Sequence, residues 1–241
     1  MFLFQISQTD AAEPQTCINA VPADVQPYTV MMYGMGAQTG TQTNGYAFAD
    51  YFCNVCQQNG VWCMFQCASG YANTMANTNT ADYERLFQKY PNLIGFAFAE
   101  QNWGFVPTSS AFGPSSFSDR MDLFAKLLPI CNLYGCFLYS SEMQSYNGNK
   151  GYNMMNKLKN YPIFRSATVT YLTNFIVGDK TTQGSAFYDN ESCTLGCFLS
   201  GHAGYYASRC DETAWGSCGY RQLYGLKNPA VTNGDTDLTA R

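Results

Sequence analysis

The chain has 241 residues, of which 46% are hydrophobic, 16% aromatic and only 12% charged, with a formal net charge of −4. Such a length suits one domain with a sizeable core, and so few charges supply no basic stripe for phosphates or anionic lipid, which argues against nucleic-acid and membrane-surface partners. Eighteen Tyr and 17 Phe in so weakly charged a chain suit a neutral, polar ligand of the carbohydrate kind, or simply an aromatic core.

The opening "MFLFQISQTDAA" has no basic n-region, and its apolar stretch is shorter than the ~7 residues of a secretory h-region. Residues 1–24 are read as a leader or unstructured N-terminal segment, and residues 25–241 as the domain proper. No apolar run reaches the ~18 residues of a membrane span.

From Tyr28 onward the pattern is strand, polar loop, amphipathic helix, strand. The strand candidates are "YTVMMY" (28–33), "VWCMFQ" (61–66), "NLIGFAFA" (92–99), "LYGCFLYS" (133–140), "YLTNFIVG" (171–178) and "LGCFLSG" (195–201). Their near-continuous apolarity suits strands covered on both faces. Between them, "TADYERLFQKYP" reads as a helix capped by Thr80 and stopped by Pro91, with Tyr83, Leu86, Phe87 and Tyr90 on one face. "SDRMDLFAKLLPI" reads as a second, capped by Ser118 and striped with Met121, Phe124, Leu127 and Leu128; "YNMMNKLKNYP" is a third, ended by Pro162.

This alternation predicts an α/β fold with parallel strands and crossover helices. Six such units are visible, or seven if "RCDETAW" opens another, whereas a closed (β/α)8 barrel takes eight. The tail "NPAVTNGDTDLTAR" offers no closing strand, so the pattern points to a TIM barrel incomplete at its C-terminus.

Eleven cysteines weakly favour an oxidising compartment. "CNVCQQNGVWCMFQC" has a zinc-like first pair, but only six residues separate Cys56 from Cys63, where paired CxxC sites usually leave about 12–20. Cys53 and Cys56 are instead placed on a helix, and Cys63 and Cys67 on or after a strand, as core residues or disulfides, and no metal is expected.

Ligands of parallel α/β folds bind beyond the carboxyl ends of the strands. The residues there are Gln66, Glu100 with Gln101, Ser141 with Glu142, Asp179 with Lys180, and the loop "SGHAGYYASRCDETAW". Glu100 stands out, because a carboxyl at the end of a buried strand and near Trp103 would be partly desolvated and kept protonated as a general acid. Gln101 can hydrogen-bond sugar hydroxyls, and Trp103 can stack on a pyranose ring. The competing picture is a solvated strand-end glutamate with a tryptophan plugging the rim. Asp211 and Glu212 are adjacent, so on a strand only one of them could line a site, and Arg209 would share a face with Asp211. His202 is the single histidine, and "LSGHAG" is not a nucleophile elbow, which disfavours a Ser/His hydrolase. No glycine-rich phosphate loop follows the first strand, so NAD and ATP are not expected as cofactors.

"YPNLIGFAFAEQNWGF", "LYGCFLYSSEMQSY" and "LGCFLSGHAGYYASRCDETAW" together resemble the catalytic module of glycoside hydrolase family 98, in matching order across most of residues 28–220. The resemblance implies a (β/α)8 barrel that hydrolyses internal β-1,4 linkages with inversion, typically an endo-β-galactosidase acting on blood-group glycans and in some members a xylanase. It implies Glu100 as general acid and Asp211 as general base, with Glu212 beside it. A second base glutamate, expected from a strand near the end of the barrel, has no match in this sequence. Gln66, Gln101, Trp103, Glu142, Lys180, His202 and Trp215 are the candidate substrate-binding residues. The expected protein is secreted, without cofactor, with a glycan as its partner. A non-catalytic carbohydrate-binding module, keeping Trp103 and Trp215 as stacking platforms, and a disulfide-rich surface protein are the alternatives.

Overall fold

A computed structural model describes residues 2–7, 14–34, 45–69, 72, 73, 75, 79–99, 120–142, 154–181 and 187–210. In chain order they form β1 (Phe2–Ser7), α1 (Pro14–Ala20), a 3-10 turn at Gln26–Tyr28, β2 (Thr29–Gly34), α2 (Gly45–Gln58), β3 (Trp62–Ser69), β4 (Ala72–Asn73), α3 (Thr80–Lys89) and β5 (Leu93–Ala99). Next come α4 (Arg120–Tyr134), β6 (Phe137–Glu142), α5 (Met154–Asn160), α6 (Pro162–Thr170), a 3-10 turn at Leu172–Asn174, β7 (Phe175–Thr181), α7 (Phe187–Leu199) and β8 (Tyr205–Cys210).

Seven strands pair in parallel, in the order β1-β2-β3-β5-β6-β7-β8, while the short β4 pairs antiparallel with β3. Sequential parallel neighbours joined through helices make an incomplete (β/α)8 barrel, as expected.

The sequence of β5 shows why the layers form. Phe96 and Phe98 point outward to the helices, where Phe96 meets Tyr83 at 4.9 Å and Phe87 at 4.7 Å, and Phe98 meets Phe124 at 4.9 Å. The aromatic chain continues from Phe124 to Phe164 and from Phe164 to Phe175, tying α4 and α6 to β7. This outer core also holds Cys53 and Cys56 of α2 and Cys63 and Cys67 of β3, all fully buried. These four, with Cys131, Cys136 and Cys197, are free thiols rather than disulfides. A smaller cluster of Val30, Met32, Met64, Ala97 and Tyr139, flanked by Ile94, Phe137, Ile176 and Ala207, fills the inner face.

Several expectations are corrected. The first 24 residues are not an unstructured segment: β1 pairs with β2 over six positions, and Ile18 of α1 is buried in the outer core. "LGCFLSG" is not a strand but the end of α7, with Thr194 and Cys197 buried three residues apart and Leu195, Phe198 and Leu199 exposed. A short apolar run fits either period, and here the helical one holds. Gly201 then ends the helix in the left-handed region at φ 72, and His202 N–H donates to Cys197 O at 3.0 Å; Gly135 at φ 65, with Cys136 N–H on Cys131 O at 2.8 Å, closes α4 the same way. The strand expected at 133–140 therefore starts only at Phe137.

Asn79, not Thr80, caps α3, accepting from Asp82 N–H at 3.3 Å. Pro162 does not merely end a helix: its ring fixes φ at the start of α6, whose residues Phe164, Ala167 and Thr168 are buried. Ser118 lies outside the described residues.

Candidate functional site

All seven parallel strands deliver their carboxyl ends to one mouth, and the register shows which residues share a level there. Ser69, Ala99, Ser141, Gly178 and Ala207 form one row across β3, β5, β6, β7 and β8. One residue further on, Glu142 pairs with Asp179 and Asp179 with Ser208, and above them Lys180 pairs with Arg209. Glu142 and Lys180, expected at the mouth, are thus brought to adjacent strand ends.

Gln66 lies one level deeper, in register with Ala97, and is fully buried. It alternates with Met64 onto the inner face, whereas Phe65 and Cys67 join the outer core. Glu100, Gln101, Trp103, Asp211, Glu212 and Trp215 lie outside the described residues. Glu100 directly follows Ala99 in the chain, and Asp211 directly follows Cys210, the last residue of β8.

His202 is not brought to this mouth. It sits in the turn that enters β8, at the amino ends of the strands, with Nδ1 3.2 Å from Thr168 Oγ1. Partial desolvation, reinforced by the Arg165 charge, holds its pKa below 6.5, as befits a neutral ring fastening α6 to the α7–β8 turn.

Two residues at this end gain importance only from the structure. In the sequence Ser141 is no more than the neighbour of Glu142; in the fold its hydroxyl is fully buried and has no hydrogen-bond partner among the described residues. Arg120 is the first described residue of α4 and is 7% exposed. Arg120 works to lower the pKa of the Cys67 thiol, but burial outweighs it and pushes that thiol well up.

Parallel strands wrapped by helices, with small and polar residues gathered at their carboxyl ends, define a barrel-type α/β protein, a class in which ligands bind at that mouth. The model of the family described as Glycosyl hydrolase family 98 matches residues 6–239, and the chain belongs to that family. Among solved structures, the native catalytic module of a family 98 glycoside hydrolase from Streptococcus pneumoniae TIGR4 is similar at 19% identity and a TM-score of 0.66, over 89% of this chain and 38% of that one. The same module with the LewisY pentasaccharide blood group antigen gives 18% and 0.64, over 86% and 36% of the two chains. With the H-disaccharide blood group antigen it gives 20% and 0.59, over 79% and 32%. The chain thus spans about a third of the length of these structures. No curated protein matches it. Among the described residues no helix is long and apolar enough to cross a membrane.

Proposed function

We propose that this chain forms part of the catalytic module of a secreted, inverting endo-glycosidase that cleaves internal β-1,4-galactosidic linkages in blood-group-type glycans. The observation that carries the reading is the family match along nearly the whole chain, joined to the register that sets β5 and β8 in one sheet with only β6 and β7 between them. The pneumococcal module is known in complex with the H-disaccharide and with LewisY, which supports the substrate class.

In this reading Glu100, following β5, protonates the leaving oxygen, and Asp211, following β8, activates the water. Three strand spacings of about 4.8 Å put the two backbones at most about 14 Å apart along the sheet. Inversion requires the two carboxyls ~6.5–9.5 Å apart with a water between them. Gln101, Trp103 and Trp215 then hold the glycan.

The test is LewisY pentasaccharide hydrolysis by the wild-type protein and by Glu100→Gln, with the anomer first formed read by NMR. Cleavage with inversion, lost in Glu100→Gln while glycan binding persists, is the expected result. Turnover by Glu100→Gln at the wild-type rate would sink the assignment of the acid, and binding without turnover by the wild type would favour a carbohydrate-binding role.

A further inference from the structure

The helical layer gathers sulfur at a second place, apart from the "CNVCQQNGVWCMFQC" stretch. Cys193 and Cys197 stand one turn apart on α7, a separation that puts two side chains on one helix face with Cβ atoms about 5–6 Å apart. Their side chains hydrogen-bond to each other, and neither is in a disulfide. α5 supplies a third sulfur, because the Cys197 thiol donates to Met155 Sδ at 3.4 Å. Sulfur atoms from two helices thus meet at Cys197.

The fully buried thiols of α2 and β3 serve as packing atoms, and exposure sets this second cluster apart from them. Met154 and Leu158 anchor α5 in the core, whereas Met155 is 41% exposed and Cys193 is partly exposed beside the buried Cys197. The cluster has a buried thiol at its base and a thiol and a thioether at its rim, so an ion can reach it from solvent.

The donor set decides which ion. Among the described residues no three or more of His, Cys, Asp and Glu come together to hold a metal, so the ligands that zinc, calcium or magnesium demand are not gathered here. Two thiols and a thioether are soft donors, the set that selects Cu(I). Metal–sulfur bonds of about 2.3 Å place two ligating sulfurs about 4 Å apart, so the Cys197–Met155 pair has to open by only about half an ångström.

We propose that Cys193, Cys197 and Met155 form a three-sulfur binding site for Cu(I) between α5 and α7. On binding, the two S–H bonds break, each thiolate and the thioether bond the ion, and two protons leave to solvent with no transfer of electrons.

The test titrates the reduced full chain anaerobically with Cu(I) against bicinchoninate, a colorimetric Cu(I) chelator, and maps iodoacetamide labelling by mass spectrometry. The wild type is expected to retain one equivalent and, on binding it, to lose labelling at Cys193 while labelling at Cys17 continues. Cys193→Ser should lose that equivalent. Met155→Leu, close in volume, should surrender it at lower chelator concentration with Tm unchanged. No retained equivalent in the wild type would overturn the proposal, as would an equivalent kept undiminished in Cys193→Ser, which would put the ion on other thiols. Met155→Leu holding Cu(I) as tightly as the wild type would remove the thioether and overturn the three-sulfur site. None of these readouts depends on glycan cleavage, so the copper site and the glycosidase reading stand or fall separately.

Discussion

Phe96 is enclosed by Tyr83 and Phe87 and has no exposed surface, so truncating it removes ring contacts from two sides of one cavity. Phe96→Ala is expected to lower stability by about 3–5 kcal/mol in urea denaturation, the usual cost of emptying a packed aromatic site. The segment "FAFA" already carries this information: large and small residues alternate, so the rings face the helices and the alanines face the barrel interior. Taken merely as apolar it predicts a strand covered on both sides, which is correct but silent about which face takes the rings. Past Ala99 the local pattern stops helping, because the spacing of β5 and β8 follows from the pairing of whole strands, and no short stretch of chain encodes that.

His202 shows the opposite failure at the same scale. Rarity draws attention to it, yet rarity says nothing of which end of a strand a residue occupies. Its pKa is depressed, so the stability it contributes is fully present above pH 6.5 and is lost as pH falls below that value. Tm should fall more between pH 7 and pH 5 in the wild type than in His202→Gln; equal slopes would deny His202 this role.

At the scale of elements, the helices are legible where a single amphipathic face runs uninterrupted, as in α3 with Tyr83, Leu86 and Phe87 buried. The cap of α3 lies one residue earlier than the sequence suggests, because Asn79 and Thr80 are both good capping types and only backbone conformation decides between them: Asn79 is extended at ψ 161. Asn79→Ala is expected to cost about 1 kcal/mol, while Asn79→Asp keeps the acceptor and the stability; paired denaturation curves check both. α6 is hidden in the sequence because Pro162 reads as a stop, although a proline that ends one helix can equally begin the next. α7 is hidden because "LGCFLSG" is too short for periodicity to choose, and its packing against β7 and β8 makes the choice instead.

At the scale of the molecule, the repeat of strand and helix is enough to indicate the barrel, since topology follows from the order of elements. Its first strand escapes a reading of the sequence because "FLFQIS" is a short apolar run ahead of the repeating pattern, and only the pairing with β2 identifies it as a strand. The same barrel wraps an outer core rich in thiols, and its stability therefore responds to alkaline pH. Burial pushes the Cys136 thiol from 9.0 up to about 11 and raises Cys131 further, and Cys56, held by a hydrogen bond with Cys63 as well as by burial, is raised too. A folded-state pKa raised above the unfolded one means stability that is complete below pH 9 and declines as pH climbs. Lys89, whose pKa is raised by its bond to Asp50, acts in the same direction from its own higher starting point. The protein should therefore hold a constant Tm from pH 7 to about 8.5 and lose it progressively from about pH 9 through 11. Over the same range, a thiol reagent should reach the partly exposed Cys17 and Cys193 first and the buried cysteines only on unfolding, since the thiolate is the reactive form. A scan of Tm against pH, paired with thiol titration in native and denaturing buffer, checks both. A flat alkaline limb, or rapid native-state labelling of most cysteines, would show that the thiols are not enclosed in the core between sheet and helices.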